Sequence, residues 1–286
     1  MKIRRRDLLF AFVILLAIWQ AASWLIRLPI LPAPSSVLVV FWQDLQKGWT
    51  DWIQTSASIR FELLFSPKTF PEEISRLAGA YLGGATLFHH FLVSLWRVLA
   101  GTALAILTAA PAGLIIGQSK RLNRLFAPLI YLVYPIPKVV FTPIILLFFG
   151  LGDASKIVII FIILFFQILV LVRDQAANLR PELIQSVRSL GAGRRALFRF
   201  VYLPASLPAI LTALRQSVGT AVAVLYIAEM SATRLGLGQY IYFQGSTLFN
   251  YPAMYAGVAA MSLLGLGMYF SVDWLERRIC PWLLHE

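Results

Sequence analysis

Six apolar runs punctuate this chain: Leu8–Ile26, Phe91–Gly117, Leu125–Phe149, Lys156–Val172, Leu207–Ile227 and Pro252–Val272. Each is close to the ~20 residues a helix needs to cross a bilayer. Inside lipid no water is available to the backbone, so such runs must satisfy their own N–H and C=O groups and fold as helices. The composition agrees: 59% of the 286 residues are hydrophobic and only 13% charged, too few charges to clothe a soluble domain of this size. The expected fold class is therefore an all-α membrane protein with six transmembrane helices.

Charge placement orients the spans. The basic start Met1-Lys-Ile-Arg-Arg-Arg precedes the first run, and Lys120, Arg121 and Arg124 follow the second. Segments drawn on the cytosolic side hold fifteen Lys or Arg, against seven spread over the much longer external segments. Positive charge favours the cytosol, so both termini are expected there, and the first run is read as an uncleaved span rather than a signal peptide. The net charge of +12 sits beside the spans, which argues against a nucleic-acid partner. The prolines of Leu28–Pro34 favour an extended exit, Val37–Leu45 suits a short amphipathic helix on the outer surface, and Lys47–Gly84 is read as an external segment of unassigned role. The expected division is an amino-terminal helix with external loop (1–90), a core of five helices (91–275) and a cytosolic tail (276–286).

The sequence excludes several chemistries. One cysteine, Cys280, cannot form an intrachain disulfide, and His89, His90 and His285 make no metal constellation. No paired carboxylates or Ser/His/Asp set suggests catalysis. There is no G-x-x-x-x-G-K-[ST] phosphate loop, so no cofactor is expected in this chain and any ATP must act on a partner.

Between the fourth and fifth spans lies Arg173–Pro208, with six arginines against Asp174 and Glu182. Pro181 suits the first position of a helix. Leu183, Val187 and Leu190 then fall on one face, and Gly191 suits a left-handed turn. A second helical stretch, Arg194–Phe200, is expected to end at Leu203-Pro204.

These residues resemble the EAA loop of ABC-importer permeases: Gln185-Ser186-Val187, three residues, Gly191, nine residues, Val201-x-Leu203-Pro204, with Gln-Ser-Val in place of Glu-Ala-Ala. SLWRVLAG, PLIYLVYPIPK, LLFFGLGDASKI, AEM and GLGQYI, between Ser94 and Ile241, extend the resemblance to the nitrate/sulfonate/taurine branch. It implies a type I ABC-importer permease fold. It also implies a cytosolic coupling helix within 173–208 that carries Leu183, Gln185, Ser186, Val187, Leu190, Gly191, Ala192, Val201, Leu203 and Pro204. The partners it implies are an ATP-binding-cassette ATPase subunit, an external solute-binding protein and a second permease copy. A small anionic solute is the cargo it suggests. A secondary transporter or a channel subunit is the competing reading: the former has no need of the coupling stretch, and the latter stays open from hydropathy alone.

Ionisable groups inside lipid are costly and usually face the bundle interior. Arg97 and Glu229 could pair, or else Arg97 caps carbonyls while Glu229 is solvated. Pro135 and Pro137 break the third span, and Lys138 beside them either faces a solute cavity or binds the carbonyls the prolines free. Arg215 is expected to snorkel to the interface.

Overall fold

The computed structural model describes residues 5–57, 86–230 and 233–282. The basic residues 1–4, most of the external segment 47–84 and the tail residues 283–286 with His285 lie outside the described residues. The described chain is helical and divides into two compact units, Met1–Ser94 with Glu229–Ser262, and Leu95–Ala228 with Leu263–Glu286. Both units are discontinuous in sequence.

The elements are α1 (Arg5–Ile26), α2 (Pro34–Ala57), α3 (Leu87–Gln118), α4 (Lys120–Val133), a 3-10 turn (Lys138–Phe141), α5 (Thr142–Phe149), α6 (Asp153–Ala177), α7 (Pro181–Ser189), α8 (Arg194–Leu197), α9 (Leu203–Met230), α10 (Leu237–Tyr242) and α11 (Tyr251–Ile279). Four of the helices, α3, α6, α9 with the turn before it, and α11, are long and apolar enough to cross a membrane. A fifth candidate span is the pair α4 and α5, bent by 74°. Of the expected first span, the apolar part described is Phe12–Ile26, shorter than a full crossing.

Within the larger unit, α3 and α6 approach closely because α3 carries a small residue every fourth position. Ala105 and Ala109 are fully buried, a Cβ on Gly101 would lie 2.8 Å from the side chain of Ile160, and one on Gly113 would lie 3.0 Å from the Leu169 carbonyl. Gly117 meets Ala176 in the same way, at 2.8 Å. In lipid, where burial of apolar surface gives no driving force, such close backbone contact is what holds helices together. The glycines of α11 differ in their surroundings. Gly265 sits against Val222, but Gly267 has open space around it.

The second limb of the elbow needs correction. The helix entering the fifth span does not stop at Leu203-Pro204. A π turn, Phe198–Tyr202, joins α8 to α9, and the Leu203 N–H reaches back to the Phe198 carbonyl. The wider turn accommodates the pyrrolidine ring and the missing N–H of Pro204. Between α9 and α11 lie the short helix α10 and a second π turn, Phe243–Thr247. Arg215 pairs with Glu276 at 2.8 Å and Asp273 at 3.4 Å on α11, which stays helical to Ile279.

In the smaller unit, α2 runs well beyond the expected Val37–Leu45. It is fixed by Gly48, which abuts Thr86 and Phe88, and by Trp49, whose ring meets Phe88 edge-on at 5.9 Å. Trp19 of α1 packs on Tyr255 of α11 at 5.6 Å.

Candidate functional site

The elbow after α6 is built as its sequence suggests. Pro181 occupies the first turn of α7, Glu182 lies at its positive end and Arg188 at its negative end. Gly191 takes φ 82°, in the left-handed region, and its N–H donates to the Arg188 carbonyl at 3.0 Å. No residue of α7 is buried. Leu183 is 46% exposed and Leu190 86% exposed, with Val187 between them half-buried, so no part of the apolar stripe is buried among the described residues. Gln185 and Ser186 are exposed too, and the Ser186 hydroxyl donates to the Glu182 carbonyl at 2.7 Å. The second limb behaves differently, since Leu197 and Val201 are buried while Leu203 and Pro204 are exposed. The result is one anchored limb and one projecting helix. A cavity of about 410 Å³, lined by Gln118, Ser119, Arg188, Leu197 and Tyr202 among others, lies between the elbow and the α3–α4 turn. At the end of α6 that leads into the elbow, Arg173 is buried. Its guanidinium is paired with Asp174, donates to the Tyr131 hydroxyl at 2.6 Å and lies over the Tyr131 ring.

The second locus is the break between α4 and α5. Pro137 has no N–H to give to Val133, and the bend removes the helical partner of Tyr134. The Val133 carbonyl takes the Ile136 N–H at 3.2 Å, and Lys138 Nζ adds donors at the break, to the carbonyls of Val133 (3.1 Å), Tyr134 (2.9 Å) and Ile136 (3.1 Å). Three donors are all that an ammonium has. The Phe166 ring lies 4.8 Å from the same nitrogen. Of the two readings open for Lys138, the carbonyl-binding one describes its hydrogen bonds. Even so, Lys138 lines an open cavity of about 500 Å³, together with Pro135, Pro137, Tyr134, Phe166 and Gln167. Its charge is felt there although its donors are spent.

Gln167 is the residue that sequence reasoning missed. It is the only polar side chain between Lys156 and Arg173. It lines the cavity, and its amide has no hydrogen-bond partner among the described residues. An isolated amide in so apolar a helix is the signal that would have found it.

Arg97 belongs to the larger unit and Glu229 to the smaller. Arg97 donates to Asp153 Oδ1 from Nη2 (2.6 Å) and Nε (2.8 Å). Glu229 is not solvated but fully buried, accepting from the Ser94 hydroxyl and from the Gly238 N–H at 3.0 Å. His89 and His90 are buried. His89 shares a hydrogen bond with Thr86 Oγ1 at 2.7 Å, and His90 Nδ1 lies against the backbone of Gly236.

Comparisons place this architecture. The chain is 30% identical over 248 residues to the taurine transport system permease protein TauC of Escherichia coli K12, covering 86% of this chain and 87% of that one. It is 28% identical over 272 residues to the riboflavin transport system permease protein RibX of Chloroflexus aurantiacus, covering 94% and 87%. The fold is similar to a chain of the inward-facing methionine ABC transporter MetNI, at a TM-score of 0.58 and 20% identity, over 68% of this chain and 95% of that one. Residues 101–280 match the model of the binding-protein-dependent transport system inner membrane components, well over half of the sequence. This multi-pass membrane protein is therefore a member of that family, the permeases of ABC importers.

Proposed function

We propose that this chain is the permease subunit of an ATP-binding-cassette importer that carries a small anionic solute into the cytoplasm, and that α7 with Gly191 is its coupling helix. The observation that carries this reading is the exposed stripe Leu183–Leu190 on a short helix set between two spans. A helix with no buried residue does not hold its place through its own core, and an apolar stripe of this kind suits the groove of a partner. In this reading the partner is an ATPase subunit, and ATP is bound there. An external solute-binding protein and a second permease copy complete the transporter, and both termini lie in the cytoplasm. Closure of the ATPases pulls α7, and the buried limb at Leu197 and Val201 passes the pull to α9 without a break, through the π turn. Switching the spans from 1:99 to 99:1 takes about 5.5 kcal/mol of bias, which a rigid elbow can transmit.

The relatives differ in solute, taurine for one and riboflavin for another. Here the anionic reading is supported by the cavity at the span break, where Lys138 contributes a positive charge and no lining residue is acidic.

The test is co-purification and ATP hydrolysis. The tagged chain should co-elute with an ATPase subunit whose hydrolysis is stimulated by a solute-loaded binding protein. Leu190→Asp should abolish co-elution, and Gly191→Val should leave hydrolysis running without uptake. A chain that elutes alone and still moves solute would support a carrier or channel instead.

A further inference from the structure

A cavity in a membrane-spanning segment is most informative where its lining contradicts its surroundings. Of the residues Ile157–Val172 only Gln167 is polar, and it faces the cavity at the break of the α4–α5 span. An amide in an apolar helix normally finds a protein partner, because leaving it bare costs free energy. Gln167 has none among the described residues. Lys138, the one charged group in the lining, has no donor left to offer, since all three N–H groups go to carbonyls. The two side chains are thus complementary, because one supplies charge without contact and the other supplies hydrogen bonds without charge.

We propose that Gln167 is the solute-contacting residue of this permease and that the group it binds is the oxyanion of a small organic acid, such as a sulfonate or carboxylate. This deepens the importer reading and rests on it for the word solute. The amide carries two N–H donors, which match two oxygens of such a group. Lys138, fixed by its three carbonyls, makes the cavity electropositive, so an anion gains from entering and a cation does not. The remaining wall is apolar or aromatic, including Ile163, Phe166, Val224 and Ile227, and suits the short hydrocarbon or planar body of the molecule. A volume of about 500 Å³ admits such a molecule easily. Because Lys138 cannot close a hydrogen bond on the anion, the solute is attracted but not trapped, which is what passage requires.

The test uses thiol chemistry on the full assembled transporter in detergent. Cys280 is the only native cysteine of this chain, and Cys280→Ser removes it. Gln167→Cys in that background is treated separately with a sulfonatoethyl and a trimethylammonioethyl methanethiosulfonate. Each rate is divided by that reagent's rate with free glutathione. The sulfonate reagent should be favoured roughly tenfold. The preference should survive Lys138→Arg and fall to near parity in Lys138→Gln. A second arm reads the amide directly. With Gln167 present, ethanesulfonate should slow modification of Ile163→Cys by a neutral reagent several-fold, and Gln167→Leu should abolish that protection. Parity of the two charged reagents with Lys138 in place, no modification by either, or equal protection with and without the amide would each overturn the proposal. None of these outcomes depends on ATP, so the importer reading stands or falls separately, on co-elution and stimulated hydrolysis.

Discussion

The Ser94 hydroxyl lies 2.7 Å from Oε2 and 2.9 Å from Oε1 of Glu229, a residue 135 positions further along the chain. The same hydroxyl accepts the Leu237 N–H at 2.7 Å, and Glu229 Oε2 accepts the Gly238 N–H at 3.0 Å. Leu237 and Gly238 open α10, and the first amides of a helix have no partner inside it. Gly236, in the cap position, has no side chain to offer. Ser94 and Glu229 therefore cap α10 from outside. Hydrogen bonds to a charged group are worth about 1.5–3 kcal/mol each. Glu229→Gln is expected to destabilise the solubilised protein by about 2 kcal/mol, and Ser94→Ala by a similar amount. Because the two share one contact, the double variant should cost less than their sum, as thermal unfolding of the four proteins would show.

Gly236 and Gly191 are both left-handed but should respond differently to substitution. At Gly191 (φ 82°) nothing lies within 4 Å of a new Cβ, so Gly191→Ala should cost only the backbone strain, about 1–2 kcal/mol. At Gly236 (φ 132°) a Cβ would also run into the Glu229 carboxylate. Gly236→Ala should therefore cost clearly more and, by displacing the cap, lower the yield of folded protein. Equal melting temperatures for the two variants would contradict this geometry.

Tyr240 gives the fold a dependence on alkaline pH. Its hydroxyl donates to Asp44 Oδ2 at 2.8 Å and ties α10 to α2. Burial first, and then the hydrogen bond and charge of Asp44, push its ionisation far above the ordinary tyrosine range. In the unfolded chain the phenol loses its proton near pH 10, while the folded chain holds it. The contribution is thus complete below about pH 10 and is lost as pH rises beyond that value. Tyr240→Phe should lower stability at neutral pH by about 1–2 kcal/mol and flatten the loss above pH 10. A variant that falls as steeply as the parent would show that other groups dominate.

What the sequence makes legible follows from range. The second to sixth spans, Pro181 at the start of α7 and the left-handed Gly191 depend on neighbours within one or two turns, and all can be read from the chain. The cap on α10 cannot, because its donors and acceptors meet only after folding. The same holds for Arg215, whose acids lie 58 and 61 positions away on α11. Pro204 misleads because a proline usually stops a helix, and only a π turn lets the chain continue. Lys138 is undecidable from sequence, since its two readings use the same side chain and differ only in where three carbonyls point. Gln167 is legible in principle, as a single amide in an apolar run, but periodicity counts pass over it.

The α3–α6 contact makes a last test of how lipid-embedded helices adhere. At Gly113 a Cβ would lie 3.0 Å from the Leu169 carbonyl and 3.0 Å from Val172 Cβ, so the obstacle is partly backbone and cannot rotate away. At Gly219 of α9 no atom of the described residues lies within 4 Å. Helix propensity alone favours alanine over glycine by about 1 kcal/mol at both sites. If propensity decided, both Gly→Ala variants would melt higher than the parent. If close approach decides, Gly219→Ala should match or exceed the parent, Gly113→Ala should gain nothing, and Gly113→Leu should fall by several degrees. Thermal unfolding of the solubilised variants separates the two. The geometry predicts the second pattern, because a leucine there must move α6, and the Gly101, Ala105, Ala109, Gly113 and Gly117 ladder would lose its neighbouring contacts with it.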